Sequence, residues 1–222
     1  MSLFPTTRWT LVLEARSESE KAQALQALLA AYRAPLYVFA RRSGLAPADA
    51  EDAVQSFAVV AIERDLFARA DKEKGKLRSF LKTAFRHHLS DERERGGAQK
   101  RGGHVPHLDF SEAEAFVASR ELNPERAFDA KWARVVMARA LEETQAELES
   151  EQRALVSAYF DGEITGLKEA AEKAHMSEAK LKSILHRARG RYRAHLLQIV
   201  RGTVAPEASA EDELRALMDA AS

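Results

Sequence analysis

Apolar residues recur at steps of three and four along nearly every long segment of this 222-residue chain, and strict alternation is rare. That spacing lays them along one face of a 3.6-residue repeat, so the chain is expected to be all-α. The first stripe is Leu25, Leu28, Leu29, Tyr32, Leu36 and Phe39, in a helix predicted over about 19–43 that Pro35 is expected to kink or divide. Gly44 supplies its stop. A second helix is predicted from Pro47 to about Arg64 on Ala53, Phe57, Val60 and Ala61. An early proline opens it, with Asp49, Glu51 and Asp52 near its positive end, so that end is expected to be well capped. The charged, glycine-containing run 71–76 reads as a loop before a third helix over about 77–95. Its stripe is Leu81, Ala84, Phe85 and His88, while Lys82, Arg86 and Arg93 share another side.

The length admits two compact units. Gly96-Gly97 and Gly102-Gly103 place the end of the first near 103, giving units at 1–103 and 124–204 with a linker at 104–123 and an acidic tail at 205–222. The linker is acidic and modestly apolar, and nothing in it demands a fixed fold. Asn123-Pro124-Glu125 starts a helix through Phe128, Trp132, Val135 and Val136 to about Leu148, followed by helices near 151–160 and 166–174. Met176-Ser177-Glu178 reads as a turn with Ser177 as N-cap. The last strong helix carries Leu181, Leu185, Ala188, Tyr192, Leu196 and Ile199 on one stripe, and its other faces are basic. A short acidic helix is predicted at 211–218.

Much chemistry is excluded. With 45% apolar and 31% charged residues there is material for real cores. No apolar run approaches the roughly 18 residues of a membrane helix, and the start lacks a leader pattern, so a cytoplasmic protein without a membrane partner is expected. The absence of cysteine removes disulfides, thiolate metal sites and thiol nucleophiles. His87, His88 and Asp91 invite a catalytic test, but helical neighbours point about 100° apart and do not converge on one ion. The remaining histidines, His104, His107, His175, His186 and His195, form no zinc spacing, and no phosphate-binding glycine motif occurs. Neither an enzyme nor a metal or other cofactor is expected.

The net charge of zero conceals alternation. Residues 1–110 hold 18 basic and 14 acidic groups, 111–162 hold 6 and 11, 163–204 hold 9 and 4, and 205–222 hold 1 and 5. Within the basic blocks, Lys72 to Arg101 has ten Lys/Arg against four acids, and Lys180 to Arg201 has seven and no acid. Those windows suit a polyanion. The two short helices around His175-Met176-Ser177 have the spacing of a helix-turn-helix, which presents its second helix to the major groove. In that geometry Ser177, Glu178, Lys180 and Ser183 lie near bases, and Lys182, Arg187, Arg189 and Arg191 spread toward phosphates. Not all can touch DNA at once, since the helix turns about 100° per residue. The plain alternative is an amphipathic helix with a basic solvated face. In the earlier block, Phe80, Leu81 and Phe85 have the spacing of core residues rather than of base-stacking rings.

These residues resemble a known family, the extracytoplasmic-function (ECF) type of bacterial RNA polymerase sigma factor. Residues 34–45 (APLYVFARRSGL) and 48–57 (ADAEDAVQSF) resemble its polymerase-binding helices. Residues 74–81 (KGKLRSFL), 91–95 (DERER) and 99–103 (QKRGG) resemble its promoter-melting loop and helix. Glu169-Ala-Ala171, Met176-Ser177, Leu181-Lys182 and residues 186–189 (HRAR) resemble its C-terminal helix-turn-helix, and residues 4–9 (FPTTRW) the opening of one subset. The resemblance implies a two-domain, non-enzymatic protein that binds core RNA polymerase and promoter DNA. Asp49, Asp52, Gln55 and Phe57 would lie on the polymerase-binding helix. The loop 65–76, including Lys76, with Arg78, Lys82 and Arg86 would open the duplex and hold the single strand, the last helix would read duplex DNA upstream, and the linker would thread a polymerase channel. His175 stands where the family has glycine, Ala170 replaces an aliphatic residue, Lys180 a small one, and Ala58-Val59 a bulkier pair. Two other readings stay open: a helix-turn-helix regulator that never engages polymerase, and a helical adaptor that binds another protein through its acidic segments. An anti-sigma factor or other regulator is a further partner class. The acidic tail has three readings: contact with such a regulator, charge mimicry of DNA, or solubility.

Overall fold

The computed structural model describes residues 18–64, 66, 76–94, 109–119, 121–205 and 207–221, and their regular structure is helical throughout. The opening motif 4–9, nearly all of the loop 65–76, the glycine pairs near 103, His104 and His107 lie outside the described residues. In chain order the helices are α1 (Glu18–Arg42), α2 (Pro47–Glu63), α3 (Leu77–Glu94), α4 (Ser111–Ser119), α5 (Pro124–Ala146), α6 (Ser150–Phe160), α7 (Leu167–Lys173), α8 (Glu178–Arg201) and α9 (Ala210–Ala221). Helix α1 runs unbroken through Pro35. The proline removes one donor, but the half of the helix around it is buried by its neighbours, and that packing outweighs the lost bond. The N-cap of α2, Ala46, makes no side-chain capping bond; the early proline and Asp49 are what favour that end, so the good capping expected there is only electrostatic and conformational.

The chain divides into two compact units, one holding the described residues up to Val135 together with Val200 onward, the other Val136–Ile199. The first unit therefore takes in the expected linker, the start of α5 and the tail. Each of these carries an apolar face that is buried: Phe110, Ala113 and Phe116; Phe128 and Trp132; Ala210, Leu214 and Leu217. The linker segment thus has a fixed fold over 111–119. Helix α4 packs on α1, where Tyr37 stacks on Phe110 at 4.2 Å and donates to Glu114 Oε1 at 2.5 Å, while the Arg41 guanidinium also pairs with Glu114. Elsewhere in this unit Tyr32 stacks on Trp132 at 4.0 Å, and Phe85 receives Phe57 and Phe39 edge-on.

The second unit is built on Leu148, Val156, Ala171, Leu181, Ile184, Leu185 and Ala188, with Met176 and the smaller Ala170 at the margin. Helix α7 ends in a turn that satisfies its last carbonyls: His175 N–H donates to Glu172 O at 3.1 Å and Met176 N–H to Ala171 O at 3.0 Å. His175 takes φ 49° to do so. Ser177 then caps α8, its Oγ accepting from Lys180 N–H at 3.2 Å.

Candidate protein- and nucleic-acid-binding surfaces

Helix α2 buries Ala50, Ala53, Val54, Phe57 and Ala61, which leaves its opposite side to solvent. On that side Asp49 and Asp52 are exposed and Gln55 half-exposed. Phe57, grouped with them by the resemblance, is corrected to a core residue: it is 2% exposed and packs edge-on to Phe85 at 5.1 Å. Two residues outside that set join the exposed face instead, Val59 at 53% and Ile62 at 43% exposure. At about 100° per residue, Asp52, Gln55, Val59 and Ile62 fall within about 80° of one another. The sign in the sequence was apolar residues lying off the core stripe. An open face mixing apolar side chains with a carboxylate and an amide suits a protein partner better than a polyanion.

Lys76, Arg78, Lys82 and Arg86 are brought together along the start of α3, where Arg78, Lys82 and Arg86 repeat every fourth residue on one face. All four are ion-paired within the first unit. Arg78 forks onto Glu213, Nε to Oε1 at 2.5 Å and Nη2 to Oε2 at 3.0 Å, and its Nη1 lies 2.6 Å from Asp129 Oδ1. Lys76 Nζ reaches Glu213 Oε2 at 2.6 Å. Lys82 Nζ lies 2.9 Å from Asp129 Oδ2 and 3.3 Å from Glu125 Oε2, and Arg86 Nη1 is 3.1 Å from Glu125 Oε1. Burial pulls the Arg78 pKa down, but the hydrogen bonds and charges of Glu213 and Asp129 together outweigh it and hold the group more firmly protonated than a free arginine. Glu213 was legible as unusual, because it falls on the Ala210, Leu214, Leu217 stripe where a carboxylate demands a buried cation.

Along α8 the residues singled out from sequence are half-exposed (Glu178) or exposed (Ser177, Lys180, Lys182, Ser183, Arg187, Arg189, Arg191), while Leu181, Ile184, Leu185 and Ala188 are buried. They do not share one face. Lys180, Ser183, Arg187 and Arg191 lie within about 80°, whereas Lys182 and Arg189 point to the far flank. Glu178 pairs with Lys182 at 2.5 Å, the Arg189 guanidinium covers the Tyr159 ring at 4.7 Å, and Arg191 lies 3.4 Å from Glu147. Among the described residues no acidic side chain pairs with Lys180 or Arg187. These two cations, with Ser183 between them, form one stretch of the basic helix open to an outside anion.

His88 is a core residue, its Nε2 2.9 Å from Ser56 Oγ and 3.4 Å from Glu92 Oε1, while His87 is exposed. Among the described residues no group of three or more His, Asp or Glu side chains is arranged to hold a metal ion, and no helix is long and apolar enough to cross a membrane.

In comparison with known proteins, the family model described as ECF sigma factor matches residues 14–198 of this chain. No curated protein and no solved structure matches.

Proposed function

This chain belongs to the ECF sigma factor family, and we propose that it binds bacterial core RNA polymerase through α2, opens promoter DNA through α3 and reads an upstream promoter element through α8. The family is one of non-enzymatic factors in transcription initiation. The observation that carries the polymerase reading is the open face of α2, where exposed Asp52 and half-exposed Gln55 lie beside exposed Val59 and Ile62. A regulator that contacted only DNA would have no use for such a face.

Helix α3 offers a row of cations for the phosphates of a separated strand. Extruding one base costs only a few kcal/mol, which phosphate contacts and a base pocket can offset, so opening needs no nucleotide hydrolysis. Helix α8 presents Lys180, Ser183 and Arg187 to a major groove, with Ser177 at its capped start.

The test is co-elution of the full chain with sigma-free core polymerase on gel filtration, at low salt and near 0.15 M, where charge-only sticking is screened. A salt-resistant complex is expected. Replacing Asp52 and Gln55 together by alanine is expected to weaken it about tenfold, or about 1.4 kcal/mol, without changing duplex DNA binding. Absence of a complex, with tight duplex binding by the chain alone, would replace this reading with that of an autonomous DNA-binding regulator.

A further inference from the structure

Resting on the reading of α3 as the helix that takes the single strand, we propose that α9 is a built-in competitor for DNA. Its Glu213 carboxylate occupies Arg78 and Lys76 where a strand phosphate would bind, and α9 leaves when the strand arrives.

Three features carry this. The first is the fork itself. Both oxygens of Glu213 meet two nitrogens of Arg78, and Lys76 adds a third cationic contact. A guanidinium holds a phosphate by the same two parallel bonds, so carboxylate and phosphate are interchangeable ligands of this pair. The second is burial. Glu213 is 1% exposed, and it sits among Ala210, Leu214 and Leu217, which are also buried, so the whole inner face of α9 is docked and not merely attracted by charge. The helix is seated at both approaches: Ser209 Oγ accepts from Asp212 N–H at 3.1 Å, and Thr203 O accepts from Leu77 N–H at 3.0 Å, the first residue of α3. The third is that the cations beyond Arg78 are held in the same way. Asp129 and Glu125 on α5 take Lys82 and Arg86, so a chain of carboxylates lines the row of cations.

Removing Glu213 with nothing in its place strips Arg78 of its two-pronged partner and leaves it only the single contact with Asp129 Oδ1, which is unfavourable. Exchange for a phosphate avoids that state. Release of α9 is therefore coupled to arrival of the strand, and the closed helix lowers apparent DNA affinity by the fraction of molecules that are open.

The experiment uses the full chain and a labelled single-stranded DNA of mixed sequence and about 20 nucleotides, longer than a typical single-strand site. Glu213→Gln keeps the shape and removes the charge; Glu213→Asp keeps the charge. Glu213→Gln is expected to bind the strand about tenfold more tightly than wild type, with a salt slope steeper by about 0.7, for the one negative charge removed. Glu213→Asp is expected to stay within about twofold of wild type. Equal or weaker binding by Glu213→Gln overturns the proposal, as does absence of strand binding by all three proteins. Because Glu213→Gln can also loosen the fold, hydrogen exchange is followed on wild type. The amides of 210–221 are expected to be protected in the free chain and to lose protection with saturating strand. Protection retained with DNA bound overturns the proposal. Co-elution with core polymerase reports on the sigma reading separately: a complex whose α9 stays closed on DNA sinks this inference alone, whereas opening of α9 by DNA without any polymerase complex sinks only the sigma reading.

Discussion

Gly44 and Gly162 end α1 and α6 with positive φ, and His175 ends α7 in the same way at φ 49°. In all three the two residues after the cap donate back to the carbonyls of the last turn. Glycine bears this conformation freely, but a Cβ in the left-handed region costs roughly 1–2 kcal/mol. The added freedom of glycine in the unfolded chain returns roughly 0.5–1 kcal/mol of that. His175→Gly is therefore expected to stabilise the second unit by about 0.5–1 kcal/mol, read as a higher urea midpoint at unchanged slope. A lower midpoint would mean that the exposed imidazole makes a compensating contact. This strain was legible in the sequence, because His175 stands where the resemblance calls for glycine. The inward turn of Phe57 was half legible: it fits the core stripe, but the resemblance pulled it toward the partner face.

At the scale of elements, α4 is clasped to α1 by Glu114. Hydrogen bonding from Arg41 is the chief cause that holds its carboxyl below the ordinary carboxylate range, and the Tyr37 hydroxyl adds to it against the opposing effect of burial. A folded pKa below the unfolded one means that this stabilisation is complete above about pH 4.3, the unfolded value, and is lost as pH falls through the folded value. Urea midpoints of wild type are expected to fall through that acid range, and Glu114→Gln is expected to be weaker at neutral pH and flatter there. A wild-type profile that matches the variant's would remove Glu114 from the clasp. On α8, Lys180→Ala is expected to change preference among upstream promoter sequences while sparing polymerase affinity, measured by competition between promoters. An equal loss on every promoter would reassign Lys180 to a phosphate. Lys182→Ala should do little in the same assay, since Lys182 lies about 200° round the helix and is held by Glu178.

For the whole molecule, the tail belongs to the first unit. Leu217 is 1% exposed, so Leu217→Ala is expected to destabilise that unit by about 2–4 kcal/mol in chemical unfolding. A tail that served only solubility would show no such loss. The net charge of zero also takes on a physical meaning at this scale. The acidic blocks are not set apart from the basic ones: Glu125, Asp129 and Glu213 are spent on Lys76, Arg78, Lys82 and Arg86, whereas among the described residues no acidic side chain pairs with Lys180 or Arg187 on α8.

The sequence by itself determined the helical class, nearly every helix span, the inward stripes, the glycine stop at residue 44 and the Ser177 cap. Each of these depends on residues within a turn or two of one another, where spacing along the chain is spacing in space. Tertiary structure alone decided that 111–119 folds onto α1, that the tail docks, and that the cations of α3 are already occupied. Arg78 and Glu213 are separated by 135 positions, and no local periodicity reports which carboxylate a guanidinium will meet. That choice follows from which apolar faces bury one another, because only after those faces close do the buried charges have a fixed set of neighbours to pair with.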